Sequence, residues 1–196
     1  IHWAQGWVLW SVFFSYTVLS SWYLWRVNPE IYIARSNIHE GTKSWDKMLM
    51  ALLLVSFFAV FLVAAFDARF RWSRVSMPVA AVGYVLFTLG FAASVWVYAV
   101  NKFAEPSVRI QTDRGQKVVD TGPYAIVRHP LYAAAIVLMV GASLALGSYW
   151  ALAPTIVATL VIVVRIVLED RTLQNELEGY KAYASRIRYR LVPGVW

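Results

Sequence analysis

Four apolar runs decide what this chain can become: Trp7–Trp25, Met48–Phe66, Val79–Val100 and Leu131–Leu168. Crossing a bilayer core takes about 20 apolar residues in a helix, and each of the first three runs has roughly that length. The fourth is about twice as long as one span requires. It is divided by GSYW at Gly147–Trp150, with Pro154 just beyond. A glycine-centred turn followed by a helix opening on proline fits that division. None of the runs has the regular alternation of a barrel strand. The pattern predicts an all-α integral membrane protein with five transmembrane helices, the last two forming a hairpin.

Composition points the same way. Of 196 residues, 60% are hydrophobic and only 15% charged, too few to cover a soluble domain of this size. Ten Trp and eleven Tyr suit a membrane–water boundary, where amphipathic rings collect. With no Cys, disulfides, thiolate metal sites and Cys nucleophiles are excluded. The net charge of +7 could suit nucleic acid, but the cations lie between apolar blocks rather than along one polar face. The expected surroundings are membrane lipids, with no nucleic acid. The chain starts at Ile1 rather than Met, which leaves room for residues upstream, and it opens on no charged leader with a cleavage site.

Lys and Arg set the expected orientation, because they concentrate on the cytoplasmic side. Arg26, Arg35, Lys43 and Lys47 follow the first run, and Lys102, Arg109, Arg114, Lys117 and Arg128 follow the third. The tail adds Arg171, Lys181, Arg186, Arg188 and Arg190. These fourteen oppose only Arg69, Arg71 and Arg74 after the second run. The first loop, the third loop and the tail should be cytoplasmic, with the N-terminus outside. Asn101–Pro130 and Glu169–Trp196 then emerge on one side, flanking the hairpin. Nearly all the polar chemistry sits in those two pieces.

Three constellations stand out. In RHPLY, Pro130 fits a first helical turn, where the missing N–H costs nothing. His129 falls near the cap, and Arg128 beside free backbone donors suits an anion such as a carboxylate. Upstream, VRIQTDRGQKVVDTGPY reads as two short extended pieces around a turn at Asp113–Gly115. Arg109 and Gln111 share one face by a period of two, and DTGPY turns Tyr124 toward the triplet. Downstream, Arg165 lies inside the apolar run four residues before Glu169, on one helix face that Leu173 and Glu176 extend. Charges at such depth commonly face a cavity or a partner. Gly179 is a helix stop ahead of Tyr180 and Tyr183. Each constellation also has a plain structural reading, as an interfacial anchor, a hairpin loop or an ion pair on a solvated face.

Other chemistries lack their signatures. His2, His39 and His129 have no metal-ligand spacing, so no metal is expected. There is no Gly-x-Gly-x-x-Gly, no P-loop and no Gly-x-Ser-x-Gly turn.

GPYAIVRHPLY, an apolar hairpin, then RIVLED, GYKAY and YRLVPGVW together resemble the isoprenylcysteine carboxyl methyltransferase family, within a wider group of membrane phospholipid methyltransferases. The resemblance covers Arg109 to Trp196. It implies an S-adenosylmethionine-dependent enzyme without a Rossmann fold, acting on a prenylated or other lipidic substrate. Residues 1–100 supply three transmembrane helices by hydropathy alone, and the resemblance implies that 101–196 form the catalytic region with a cytoplasmic C-terminal cofactor pocket. Gln116, Lys117, Val118, Val119, Tyr124, Arg128, His129, Pro130, Leu131 and Tyr132 would line that pocket, with Glu169 opposite. Arg165 would face the substrate, helped by Arg109 or Gln111, and Arg165 and Glu169 would be the catalytic pair. The chain departs from relatives at Gln116, where many carry His, at Ala133–Ala134, where small-Gly is common, and at Glu169–Asp170, often two Glu. The competing assignments are a phospholipid amine N-methyltransferase, an NADPH-dependent membrane reductase of the sterol type, and a scaffold without catalysis. Against the reductase, this chain has HPLYAAA where such enzymes place Asn before the Tyr and an acid after it.

Overall fold

In the computed structural model, residues 3–36 and 38–196 are described, and they form helices joined by turns, with no strand among them. The order is α1 (Ala4–Val27), α2 (Glu30–Ser36), α3 (Ser44–Phe70), α4 (Met77–Val100), α5 (Pro130–Ala145), α6 (Leu152–Glu176) and α7 (Tyr180–Arg186). Two short 3-10 turns, Thr112–Arg114 and Gly122–Ala125, interrupt the long α4–α5 connection. The expected extended pieces are therefore not paired strands. They are irregular chain bent at Gly115, whose φ of 60° puts it in the left-handed region.

Among the described residues, α3, α4 and α6 are long and apolar enough to cross a membrane. The first and fourth expected spans differ in kind. α1 is 24 residues long, but Trp, Tyr, Ser and Gln dilute its hydropathy. α5 has only 16 residues, which reach about 24 Å against a hydrocarbon core of about 30 Å. The hairpin turn lies where GSYW predicts. Gly147 turns at φ 78°, and Pro154 sits in the first turn of α6.

α4 and α5 approach until backbone meets backbone. A Cβ on Gly141 would lie 2.3 Å from the Phe87 amide nitrogen and 2.8 Å from the Gly83 carbonyl oxygen. Gly83 and Gly90 are equally tight against Ala145 and Leu138. Small residues give helices within lipid this route to extensive van der Waals contact. Gly141→Ala should force the pair apart and cost about 1–3 kcal/mol, the usual overpacking penalty. Thermal unfolding in detergent would register it, and an unchanged midpoint would contradict the packing.

The same bundle separates two polar ends. At one end, the buried Asp67 accepts from the Ser73 amide and hydroxyl, each at 2.6 Å, and from the Ser148 hydroxyl. It ties the α3–α4 loop to the α5–α6 turn. At the other end, the long connection 101–129 folds between α3, the start of α5 and the segment from α6 to the tail. Both polar pieces of the sequence come together there.

Candidate active site

Pro130 opens α5 and ends the loop before it, so Arg128 and His129 are left outside the helix as irregular chain. Their amides donate to the carbonyls of Tyr189 and Arg190, at 3.0 and 2.9 Å. That pairing pulls the tail back across the mouth of the hairpin. Gly179, at φ 79°, turns the chain after α6 so that α7 folds onto the same mouth. The Tyr183 hydroxyl then donates to the Tyr124 carbonyl at 2.8 Å. Asn101, at the end of α4, donates to the Tyr124 hydroxyl at 2.7 Å. Burial holds that phenol well above its ordinary pKa, so it stays neutral.

These closures enclose a cleft with about 840 Å³ of empty space, open mouth included. Gln116, Lys117, Val118, Val119, Tyr124, Arg128, His129, Pro130, Leu131, Tyr132 and Glu169 all line it, as do Arg109 and Gln111. Leu173, Leu177, Tyr180 and Tyr183 complete the wall. Arg165 does not line it.

Two buried carboxylates, neither assigned a role from the sequence, hold the cleft in shape. Asp170 is 1% exposed and accepts from Tyr180 Oη at 2.9 Å and Gln174 Nε2 at 3.0 Å. Arg128, Arg190 and His129 also meet it, at 3.2, 3.2 and 3.4 Å. The helix before the tail, the start of α5 and the tail itself therefore converge on one anion. Burial, then the charge of Asp170, raises the Tyr180 hydroxyl far above its ordinary pKa and keeps it a donor. Asp46, at the start of α3, is fully buried. Arg165 grips it through Nε at 2.7 Å and one terminal nitrogen, Nη2, at 3.0 Å. The Val108 amide donates to the same carboxylate at 2.7 Å.

Arg165 is thus bound to Asp46, and no ion pair joins it to Glu169 among the described residues. The link between them is Tyr132. Its ring centre lies 5.6 Å from the Arg165 guanidinium carbon, and its hydroxyl donates to Glu169 Oε2 at 2.5 Å. Arg109 is filled on both edges, by Glu105 and by Asp113, which keeps it charged. Gln111 is also engaged, donating to the Phe103 carbonyl and accepting from Arg114. Gln116 folds back to accept the Gln111 amide at 2.8 Å. These three side chains stiffen the loop that forms one wall. His39 accompanies Glu105 at 3.8 Å, and His2 lies outside the described residues.

Two features of the wall suit a polar ligand. Among the described residues, the backbone of Lys117, Val118 and Val119 has no hydrogen-bond partner. Among the described residues, Arg128 Nε is the one buried side-chain polar atom left without a partner. A buried donor without an acceptor is costly in isolation and is satisfied when an anionic group binds. Three cationic or protonatable groups share the single charge of Asp170, so the local balance also favours an added anion.

No curated protein matches the chain. A model of the phospholipid methyltransferase family matches residues 79–178, just over half of the sequence. The match takes in α4, the cleft-forming loop, the hairpin and the stretch of α6 that carries Arg165, Glu169 and Asp170. A helical membrane-type bundle with its polar groups gathered around one cleft at one end thus belongs to the phospholipid methyltransferase family.

Proposed function

We propose that the protein is an S-adenosylmethionine-dependent methyltransferase of the membrane that esterifies the carboxylate of a prenylcysteine-like or other lipidic acceptor. The observation that carries this reading is the closure of 101–130 and 169–190 over one cleft, with an orphaned Arg128 donor in its wall. The chain crosses the bilayer five times in this reading, α1 and α5 included. Its cleft faces the cytoplasm, the side favoured by fourteen of the eighteen cations.

The residues present fit the cofactor. Arg128 would take its carboxylate, the open backbone of Lys117–Val119 its polar edges, and Leu131, Leu173 and Leu177 its apolar surface. Tyr124, His129, Pro130 and Tyr132 would shape the remaining wall, and Glu169 would place a negative charge near a bound cation. When bound, S-adenosylmethionine supplies an electrophilic methyl group on a positively charged sulfur. An acceptor carboxylate is already ionised at neutral pH, so the protein has no proton to remove. Its task is alignment, which can supply a large part of the rate. Arg165 would orient the acceptor, and Arg109 and Gln111 would support the wall behind it. The acceptor would enter sideways from the membrane, the cofactor from water.

The family match favours one further reading, a phospholipid amine as acceptor. Glu169 would then serve the amine, accepting its proton or attracting its charge. One experiment separates the assignments. Purified protein is incubated with methyl-labelled cofactor and a panel of prenylcysteine analogues and phospholipids. The carboxylate reading expects label in a base-labile ester, and the amine reading expects base-stable label in phospholipid. No transfer to any acceptor, with NADPH binding instead, would favour the reductase and sink both.

A further inference from the structure

Resting on the carboxylate reading above, we propose that Asp46 is a positioning residue that limits how strongly Arg165 can hold the acceptor. Arg165 reaches Asp46 through Nε and Nη2, and Nη2 also donates to the Pro106 carbonyl at 2.6 Å. The edge of the guanidinium that would make a two-point grip on a second carboxylate is therefore occupied. Among the described residues, the other terminal nitrogen, Nη1, has no partner. An acceptor carboxylate can meet Arg165 only end-on, through Nη1.

The chemistry gives that restriction a purpose. In transfer, an acceptor oxygen forms the new O–CH₃ bond as the C–S bond breaks, and the electron pair of the broken bond stays on sulfur. No proton moves. The oxygen must donate electron density, so a guanidinium that neutralised it fully would bind the acceptor well and slow its attack. Interactions equal in ground and transition states do not speed the step, and ones stronger in the ground state retard it. Asp46 is 0% exposed, and its charge sits against Arg165 at 2.7 Å. It cancels most of the cation's pull while leaving one donor to aim the acceptor.

The test compares Asp46→Asn with wild type on a prenylcysteine-like acceptor. Asn retains the shape and removes the charge, so the freed guanidinium should grip harder. Both kcat and KM should fall together, each by about tenfold. Asp46→Glu restores the charge and should bring both back toward wild-type values. A merely structural ion pair predicts instead that KM rises or stays constant as kcat falls, and that result overturns the proposal. Should Asp46→Asn not fold, wild-type protein gives a second readout from acceptors that share one tail but differ in carboxylate basicity. Turnover rising with basicity supports partial neutralisation, whereas a flat series overturns it. If wild-type protein makes no base-labile ester at all, the carboxylate reading fails and takes this inference with it. If esters form but Asp46→Asn raises KM, only this inference fails.

Discussion

Asp170→Ala should lower the stability of the folded protein by roughly 3–5 kcal/mol, the usual cost of removing one partner from a buried charge network. The carboxylate is 1% exposed and serves two arginines, a histidine, a tyrosine and a glutamine. Without it, Arg128 and His129 stay buried with their positive or protonatable groups facing one another. Arg190 loses the anchor that holds the tail over the hairpin mouth. Cofactor affinity should fall with stability, because the same contacts fix opposite walls of the cleft. Asp170→Asn keeps the size and one of the two acceptor oxygens, so it should lie between wild type and Ala. Thermal unfolding and cofactor-binding calorimetry on both variants would check this. An unchanged melting midpoint in Asp170→Ala would remove Asp170 from its role as the clamp.

The parts of this molecule that a sequence reveals are those with local signals. Hydropathy locates α3, α4 and α6 because each is a continuous apolar run. Pro130, Gly147 and Gly179 mark real boundaries because their backbone preferences act within a residue or two. The cleft-lining residues were legible through the resemblance carried by RHPLY and its flanks, and the structure places them around one cavity. What stayed hidden is long-range. Asp46 is an unremarkable acid before an apolar run, and its partner Arg165 lies 119 residues away. The only local hint is that each is a charge set at the edge of, or within, an apolar segment, a situation that calls for a partner. Asp170 was masked by its neighbour, since adjacent acids point to different sides of a helix. Glu169 faces the cleft, while Asp170 faces the Arg128–His129 corner. The α4–α5 contact could not be read either, because Gly83, Gly90 and Gly141 matter only through what lies opposite them. Arg109 lines the cleft, and Glu105 and Asp113 at spacings of four absorb its charge, pairings that the shared face with Gln111 does not announce.

Arg165→Ala carries the largest expected effect on turnover. Loss of a preorganised donor that orients the reacting group costs on the order of 10²–10³ in rate, while cofactor affinity should change little, because Arg165 lies behind Tyr132 rather than in the cleft wall. The substitution also strands Asp46, which would keep only the Val108 amide as a partner and would destabilise the fold by roughly 3–5 kcal/mol. Stability and catalysis therefore have to be separated, and the double variant Arg165→Ala with Asp46→Asn does so. Removing both charges eliminates the uncompensated anion, and replacing a whole buried pair is often close to neutral. The double variant should recover most of the melting midpoint and keep the cofactor affinity, yet show the same loss of turnover. Recovery of turnover along with stability would show that Arg165 acts only through the fold. Equal losses of cofactor affinity and turnover in the single variant would place it with the cofactor instead of the acceptor.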